Sequence, residues 1–326
     1  MVETKLARAM APVRAAIAEG RIPGGILGLV TAEGARAVAV EGMAQMRPER
    51  RPLTRETWFD LASLTKVIFT TTRILDLAAR GAFSLDDPLT VLIPDLRQYD
   101  MNAWERKVTF RQCLGHQTAF PGVEPIYTYG DNPDTLRAFV LQREWRQGPP
   151  VYSDINFILL GIALERFHGC RLRDLDPGLG FSFAPDPDVT AATEDCTWRG
   201  RVICGEVHDE NCFALQGSGH AGLFGTIDAV LDYAQGLFDL PADHLIRTRL
   251  SPDRTHGWQA PHPGWNGGSR ISDNAIGHTG FTGTGLWVDY DRGHAWSLLT
   301  NRVHPSRHTD SGIAALRIEV GDLINE

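Results

Sequence analysis

Ser63 and Lys66 stand three residues apart in FDLASLTKVIFTTT (59–72), and the lysine is rare in this chain. Of 32 basic residues only Lys5, Lys66 and Lys107 are lysines. On a helix, positions three apart share a face, so hydroxyl and amine can meet. A serine hydroxyl becomes a nucleophile when a neighbouring base takes its proton. Arginine cannot release a proton inside a protein, whereas lysine can when burial or a nearby cation lowers its pKa. At a helix N-terminus the Ser63 N–H would also be free to face an oxyanion. The plainer reading makes Ser63 a helix cap and Lys66 a solvated cation. Against it, VIFTTTRILDLAA is too apolar for an exposed face. With 11 serines and three lysines, chance supplies only about 0.1 SxxK pairs.

Two later stretches extend the pattern: GPPVYSDINFILLG holds Tyr152-Ser153-Asp154, and AIGHTGFTGTGLWVD holds His278-Thr279-Gly280 where a strand is expected to begin. In this order the three sites resemble the SxxK, YxN and KTG signatures of the serine β-lactamase and penicillin-binding-protein superfamily. The arrangement looks most like the class C branch, which includes β-lactamase-type esterases and D-amino-acid peptidases. VTFRQCLGHQTAF and GHAGLFGTIDAVLDYAQ resemble further segments of that family.

The resemblance implies that Ser63 accepts the acyl group and that Lys66 and Tyr152 move its proton, with either one as the base. It implies an oxyanion hole formed by the N–H groups of Ser63 and Phe281, with Thr279 and Gly280 beside the substrate. Two positions depart from the pattern. Asp154 replaces Asn at a substrate-binding position, and an ionised carboxylate accepts but does not donate; an Asp there is also an ordinary helix cap. His278 replaces the Lys of KTG at a catalytic position. Near its ordinary pKa of about 6.5 it would be largely neutral, weakening attraction for a substrate carboxylate while leaving a hydrogen bond to Tyr152 open. Esters and uncharged acyl groups are therefore expected to react better than β-lactams.

The elements that must position these residues follow from periodicity. A helix is expected over 3–19, strands over 24–30 and 35–42, and a helix from Ser63 to about Arg80, ended by Gly81. Helices are expected over 109–115, 134–143, 155–167, 226–238 and 309–324, and strands over 283–290 and 294–301. Strands at both ends with helices between predict an α+β layout. In the family's terms this is a β-lactamase/transpeptidase-like fold, a mixed antiparallel sheet from both chain ends flanked by helices. One catalytic domain (1–326) would divide into an α/β lobe (about 1–62 and 270–326) and a mostly helical lobe (about 63–269).

The formal charge of −8 is spread without long blocks, which excludes a footprint for nucleic acid or an anionic membrane. No run approaches a membrane span and no signal peptide is evident, so a cytoplasmic protein with a small-molecule partner is expected. Five cysteines without CxxC spacing read as reduced thiols. GSGHAG (217–222) mimics a dinucleotide fingerprint without a βαβ unit around it. His208, Asp209, Glu210 and His220 lack metal-ligand spacing and read as a hydrogen-bonded loop. No cofactor or metal is implied. The leading expectation is a serine hydrolase forming an acyl-enzyme on Ser63 with an ester or amide substrate. The alternatives are a D-amino-acid peptidase or weak β-lactamase acting on cell-wall fragments, and a sensor that acylates without turnover.

Overall fold

A computed structural model describes residues 2–326. Its centre is a six-stranded sheet of β1 (Gly24–Thr31), β2 (Arg36–Gln45), β3 (Arg51–Pro52), β4 (Ala275–Thr279), β5 (Gly285–Asp289) and β6 (His294–Thr300). The spatial order is β3-β2-β1-β6-β5-β4, with every neighbouring pair antiparallel. Strands from the two chain ends therefore meet at the β1–β6 seam, where Gly25 faces Thr300 and Val30 faces Ala295.

Strand alternation sends side chains to two cores. Leu27, Leu29, Trp287, Trp296 and Leu298 pack against Leu6, Met10 and Val13 of the N-terminal helices and Leu316 and Val320 of the C-terminal helix. Ile26, Val30, Val288 and Leu299 face the larger core, which runs on into the helical region. There the helix Ile227–Gly236 lies close on β1: a Cβ on Gly28 would sit 2.7 Å from Leu231 and 2.9 Å from Ile227. Thus a helix from within the expected insertion packs on the sheet.

The expected 3–19 helix is two, Val2–Ala9 and Ala11–Ala18. Pro12 in the first turn of the second supplies no N–H to continue the first. The helices of the middle region include Phe110–Leu114, Pro133–Gln142 and Asp154–His168, close to expectation. Thr109 and Gln112 form a capping box on the first of these. The final helix is shorter than expected, Ile313–Ile324, because Gly312 adopts φ 62° immediately before it. None of the described helices is long and apolar enough to cross a membrane.

Candidate active site

Ser63 lies between two irregularities. Before it Ala62 holds φ 48°, with its N–H bound to the buried Asp60 carboxylate at 2.8 Å. After it comes a π-helix, Lys66–Thr71, continuing as an α-helix over Thr72–Ala79. The expected regular helix from Ser63 is thus replaced by a wider turn, a form that recurs at functional sites. It aims Lys66 at the serine: Nζ donates to Ser63 Oγ at 2.9 Å.

Lys66 is fully buried and its three N–H groups are all used. The second goes to the His220 carbonyl at 2.9 Å, and the third pairs with Asp154 Oδ1 at 2.8 Å. Burial alone pulls the amine's pKa down. The Asp154 carboxylate and then the Tyr152 phenol outweigh it, holding Lys66 above its ordinary value. The base lowered by burial that the sequence suggests is therefore an ammonium in the resting site, because an anion stands where the family pattern has an amide.

Asp154 is the first residue of Asp154–His168 and does not cap it; Ser153 occupies the cap position, its hydroxyl bonded to the Pro121 carbonyl at 2.6 Å. The Lys66 nitrogen is 5.1 Å from the Tyr152 ring centroid. Tyr152 is flanked by two histidine rings, His116 at 4.5 Å and His278 at 5.8 Å. Burial, reinforced by Arg254 and Lys66, pushes both histidines well below the ordinary imidazole pKa, so both are neutral. His278 Nδ1 donates to the Thr279 carbonyl at 2.9 Å, which leaves Nε2 as an acceptor. It is buried with no hydrogen-bond partner, so the anticipated bond to Tyr152 is not formed in this state.

His278 and Thr279 close β4; the motif ends a strand where the sequence suggested a beginning. The chain then turns through Gly280–Gly283, since the following residues pair back on the same strand. A Cβ on Gly280 would lie 2.1 Å from Thr284 Oγ1 and 2.6 Å from the Leu61 carbonyl. That contact fixes the turn against the segment leading into Ser63. Arg317, buried on the C-terminal helix, donates to the Gly280 and Thr284 carbonyls at 2.8 and 2.7 Å; burial and then Arg302 lower its pKa to about 9. The N–H groups of Ser63 and Phe281 donate to no backbone or side-chain acceptor among the described residues.

These groups border a cleft of about 540 Å³ lined by Ser63, Tyr152, Asp154, His278, Thr279 and Phe281. The Phe281 side chain is half exposed and stacks on His208 at 5.7 Å. Three positions that sequence reasoning missed belong here: Asp60, Arg317 and Arg254. Arg317 and Arg254 act on residues remote in sequence, so no local spacing marks them, while Asp60 accepts both from Ala62 two residues on and from the distant His208 N–H. Trp258 and Trp265 are buried in the core and do not line the cleft, although Gln259 between them does.

The GSGHAG loop packs behind the site. Its Gly219 carbonyl accepts from Thr70 at 2.7 Å, and its His220 carbonyl receives Lys66. His220 bonds Asp209 and Ser218, both at 2.8 Å, while His208 bonds Glu194 at 3.0 Å. Arg307 ties Glu194 to Glu210, at 2.6 Å from each.

The profile of the Beta-lactamase family matches residues 6–319. An N-acetylmuramyl-L-alanine amidase of Bacillus subtilis (strain 168) is 29% identical over 318 residues, covering 81% of this chain and 72% of the relative. A putative D-alanyl-D-alanine carboxypeptidase of Escherichia coli (strain K12) is 29% identical, covering 77% and 70%. Among solved structures, EstCE1, described as a hydrolase with promiscuous acyltransferase activity, superposes with a TM-score of 0.75 at 19% identity, covering 99% of both chains. A class C beta-lactamase superposes with 0.74 at 17% identity, covering 97% of each. With the family profile spanning nearly the whole chain and the same fold recurring in these structures, the protein belongs to the beta-lactamase family.

Proposed function

We propose that the protein is a serine hydrolase that cleaves an ester or amide of a small molecule through an acyl-enzyme on Ser63. The observation that carries this reading is the 2.9 Å bond from a buried Lys66 to the Ser63 hydroxyl at the floor of an open cleft. An ammonium has no lone pair, so Lys66, its three N–H groups all pointing at oxygens, cannot take the proton. The proton then goes to Tyr152, beside it, in its phenolate form, which becomes the phenol as Oγ attacks the carbonyl. The oxyanion enters between the unengaged N–H groups of Ser63 and Phe281. On collapse the carbon–leaving-group bond breaks and Tyr152 returns the proton to the leaving atom. Water then attacks the ester on Ser63, losing a proton to Tyr152, which restores the serine hydroxyl.

Asp154 keeps Lys66 charged, the neutral His278 ring packs beside Tyr152, and Thr279 and Gly280 hold the turn that presents the Phe281 N–H. Amide cleavage is the second reading, favoured by the amidase and the putative carboxypeptidase among the relatives. The test is hydrolysis of p-nitrophenyl butyrate by wild type and Ser63→Ala, with intact-mass analysis. Steady turnover lost by about 10⁴-fold or more in the variant supports the reading. Equal rates would remove Ser63 from the mechanism, and a single burst with a persistent acyl mass would indicate a protein that acylates without turnover.

A further inference from the structure

Asp60 is a carboxylate that the proposed mechanism leaves unused. It is only 2% exposed, and among the described residues its side-chain partners are two backbone N–H groups: Oδ1 accepts from Ala62 at 2.8 Å and Oδ2 from His208 at 2.7 Å. Burial raises its pKa against the pull of both bonds. An interior carboxylate held without a cation is costly. An amide would be cheaper to bury but has one acceptor oxygen, whereas here two N–H groups arrive on separate oxygens, which the ionised carboxylate alone satisfies.

Three segments of the site converge on this residue. The bond to Ala62 closes an Asx turn and holds the positive φ of 48° immediately before Ser63, the backbone that aims the Ser63 N–H. A non-glycine residue in that region is strained and persists only where its surroundings hold it. The main-chain carbonyl of Asp60 receives the buried Thr282 hydroxyl at 2.7 Å, and the Leu61 carbonyl receives that of Thr284 at 3.1 Å. The turn that carries Phe281 is therefore bonded at two points to the chain entering Ser63. The third segment is the His208 loop, whose imidazole stacks on the Phe281 ring at 5.7 Å.

We infer that Asp60 is a positioning residue that sets the spacing of the two oxyanion donors, its carboxylate fixing the Ser63 N–H and its main-chain carbonyl the turn that carries the Phe281 N–H. The inference rests on the serine-hydrolase reading and adds to it a residue that does not itself line the cleft. An oxyanion hole acts through donors already aimed at the developing charge, and loss of one donor costs about 10²–10³-fold in kcat. Backbone donors cannot be removed by side-chain exchange, but the group that aims them can.

The test compares p-nitrophenyl butyrate with O-p-nitrophenyl thionobutyrate, which differ only in the atom that becomes the anion. Sulfur is the weaker acceptor, so the oxo-to-thiono ratio of kcat/KM reads the hole itself, and the wild type is expected to favour the oxo ester by about 10²-fold or more. Asp60→Ala removes both N–H bonds: kcat for the oxo ester should fall by about 10²-fold with KM unchanged, and the ratio should shrink by about tenfold. Asp60→Asn, with one acceptor oxygen, should recover part of both. Thr282→Val removes the hydroxyl from the Asp60 carbonyl and leaves the carboxylate alone, and it should shrink the ratio in the same direction. A wild type indifferent to sulfur overturns the inference without requiring any variant to fold. So does a rate loss in Asp60→Ala with the ratio intact, because the carboxylate would then serve the fold alone; if that variant does not fold, an unchanged ratio in Thr282→Val has the same force. Undiminished turnover of both esters by Ser63→Ala would instead remove the serine-hydrolase reading, and the inference with it.

Discussion

Exchange of Asp154 for Asn isolates the charge that sets the protonation state of the site. The carboxamide keeps an oxygen near the position 2.8 Å from Lys66 Nζ while removing the anion. An opposite charge at such range moves a pKa by about one to three pH units, or about 1.4–4 kcal/mol. Burial of Lys66 would then act with less opposition, so the sign is downward. The chain has three lysines, so ¹³C labelling at lysine Cε gives three signals, with exposed Lys107 as internal reference. In the wild type the Lys66 signal should stay at its ammonium position past the ordinary 10.5. In Asp154→Asn it should titrate about one to three pH units earlier, and the alkaline limb of kcat/KM should move down with it. Because the folded-state pKa is raised, the stability contributed by Lys66 is fully present below pH 10.5 and fades as pH rises through the folded value. A wild-type Lys66 that titrates below 10.5, or a signal indifferent to the substitution, would refute the argument that Asp154 holds the ammonium and with it the case for Tyr152 as base.

Lys66→Arg should lose activity as fully as Lys66→Ala, by about 100-fold or more in kcat, because a planar fork cannot direct three N–H groups at Ser63, His220 and Asp154 in a sealed site; steady-state kinetics decides this. Gly280→Ala forces a methyl into Thr284 Oγ1 and should lower kcat by about 10²–10³-fold through a displaced Phe281 N–H, with a lower Tm in calorimetry. At Glu194, burial raises the pKa, but His208 and Arg307 outweigh it and bring the carboxyl from 4.5 to about 2. A depressed carboxylate contributes stability above its unfolded pKa and loses it as pH falls from 4.5 towards 2. Urea unfolding at about pH 5 and about pH 3 should show a smaller drop in Glu194→Gln than in wild type, and identical drops would remove Glu194 from the acid response.

What the chain discloses before folding divides along a physical line. Ser63, Lys66 and Tyr152 were legible because their chemistry travels in short motifs, and the two-ended sheet was legible because strand alternation is local. The break at Pro12 was also written in the sequence, as a missing donor. The π-turn after Ser63 was not, since its apolar run has the same composition as an ordinary buried helix. The ammonium state of Lys66 depended on one residue 88 positions away, whose partner no spacing names. Arg254 and Arg317 are arginines among 29, distinguished only by the two histidines whose pKa one lowers and by the turn that the other grips.

The β1–β6 seam bears on how the protein is made. β1 is entirely apolar apart from its last residue and leaves the ribosome long before β6, the strand that covers one of its edges. At about 5–20 residues per second the delay is roughly 13 to 54 s. During that interval a buried-type strand has an open edge that can recruit another chain. The Gly280–Gly283 turn is delayed similarly, because Phe281 follows Ser63 by more than two hundred residues. On the mechanism proposed above, nascent chains carry Ser63 for most of synthesis without the second N–H it would use, and chaperone protection of the emerging N-terminal hairpin should govern the yield of active protein.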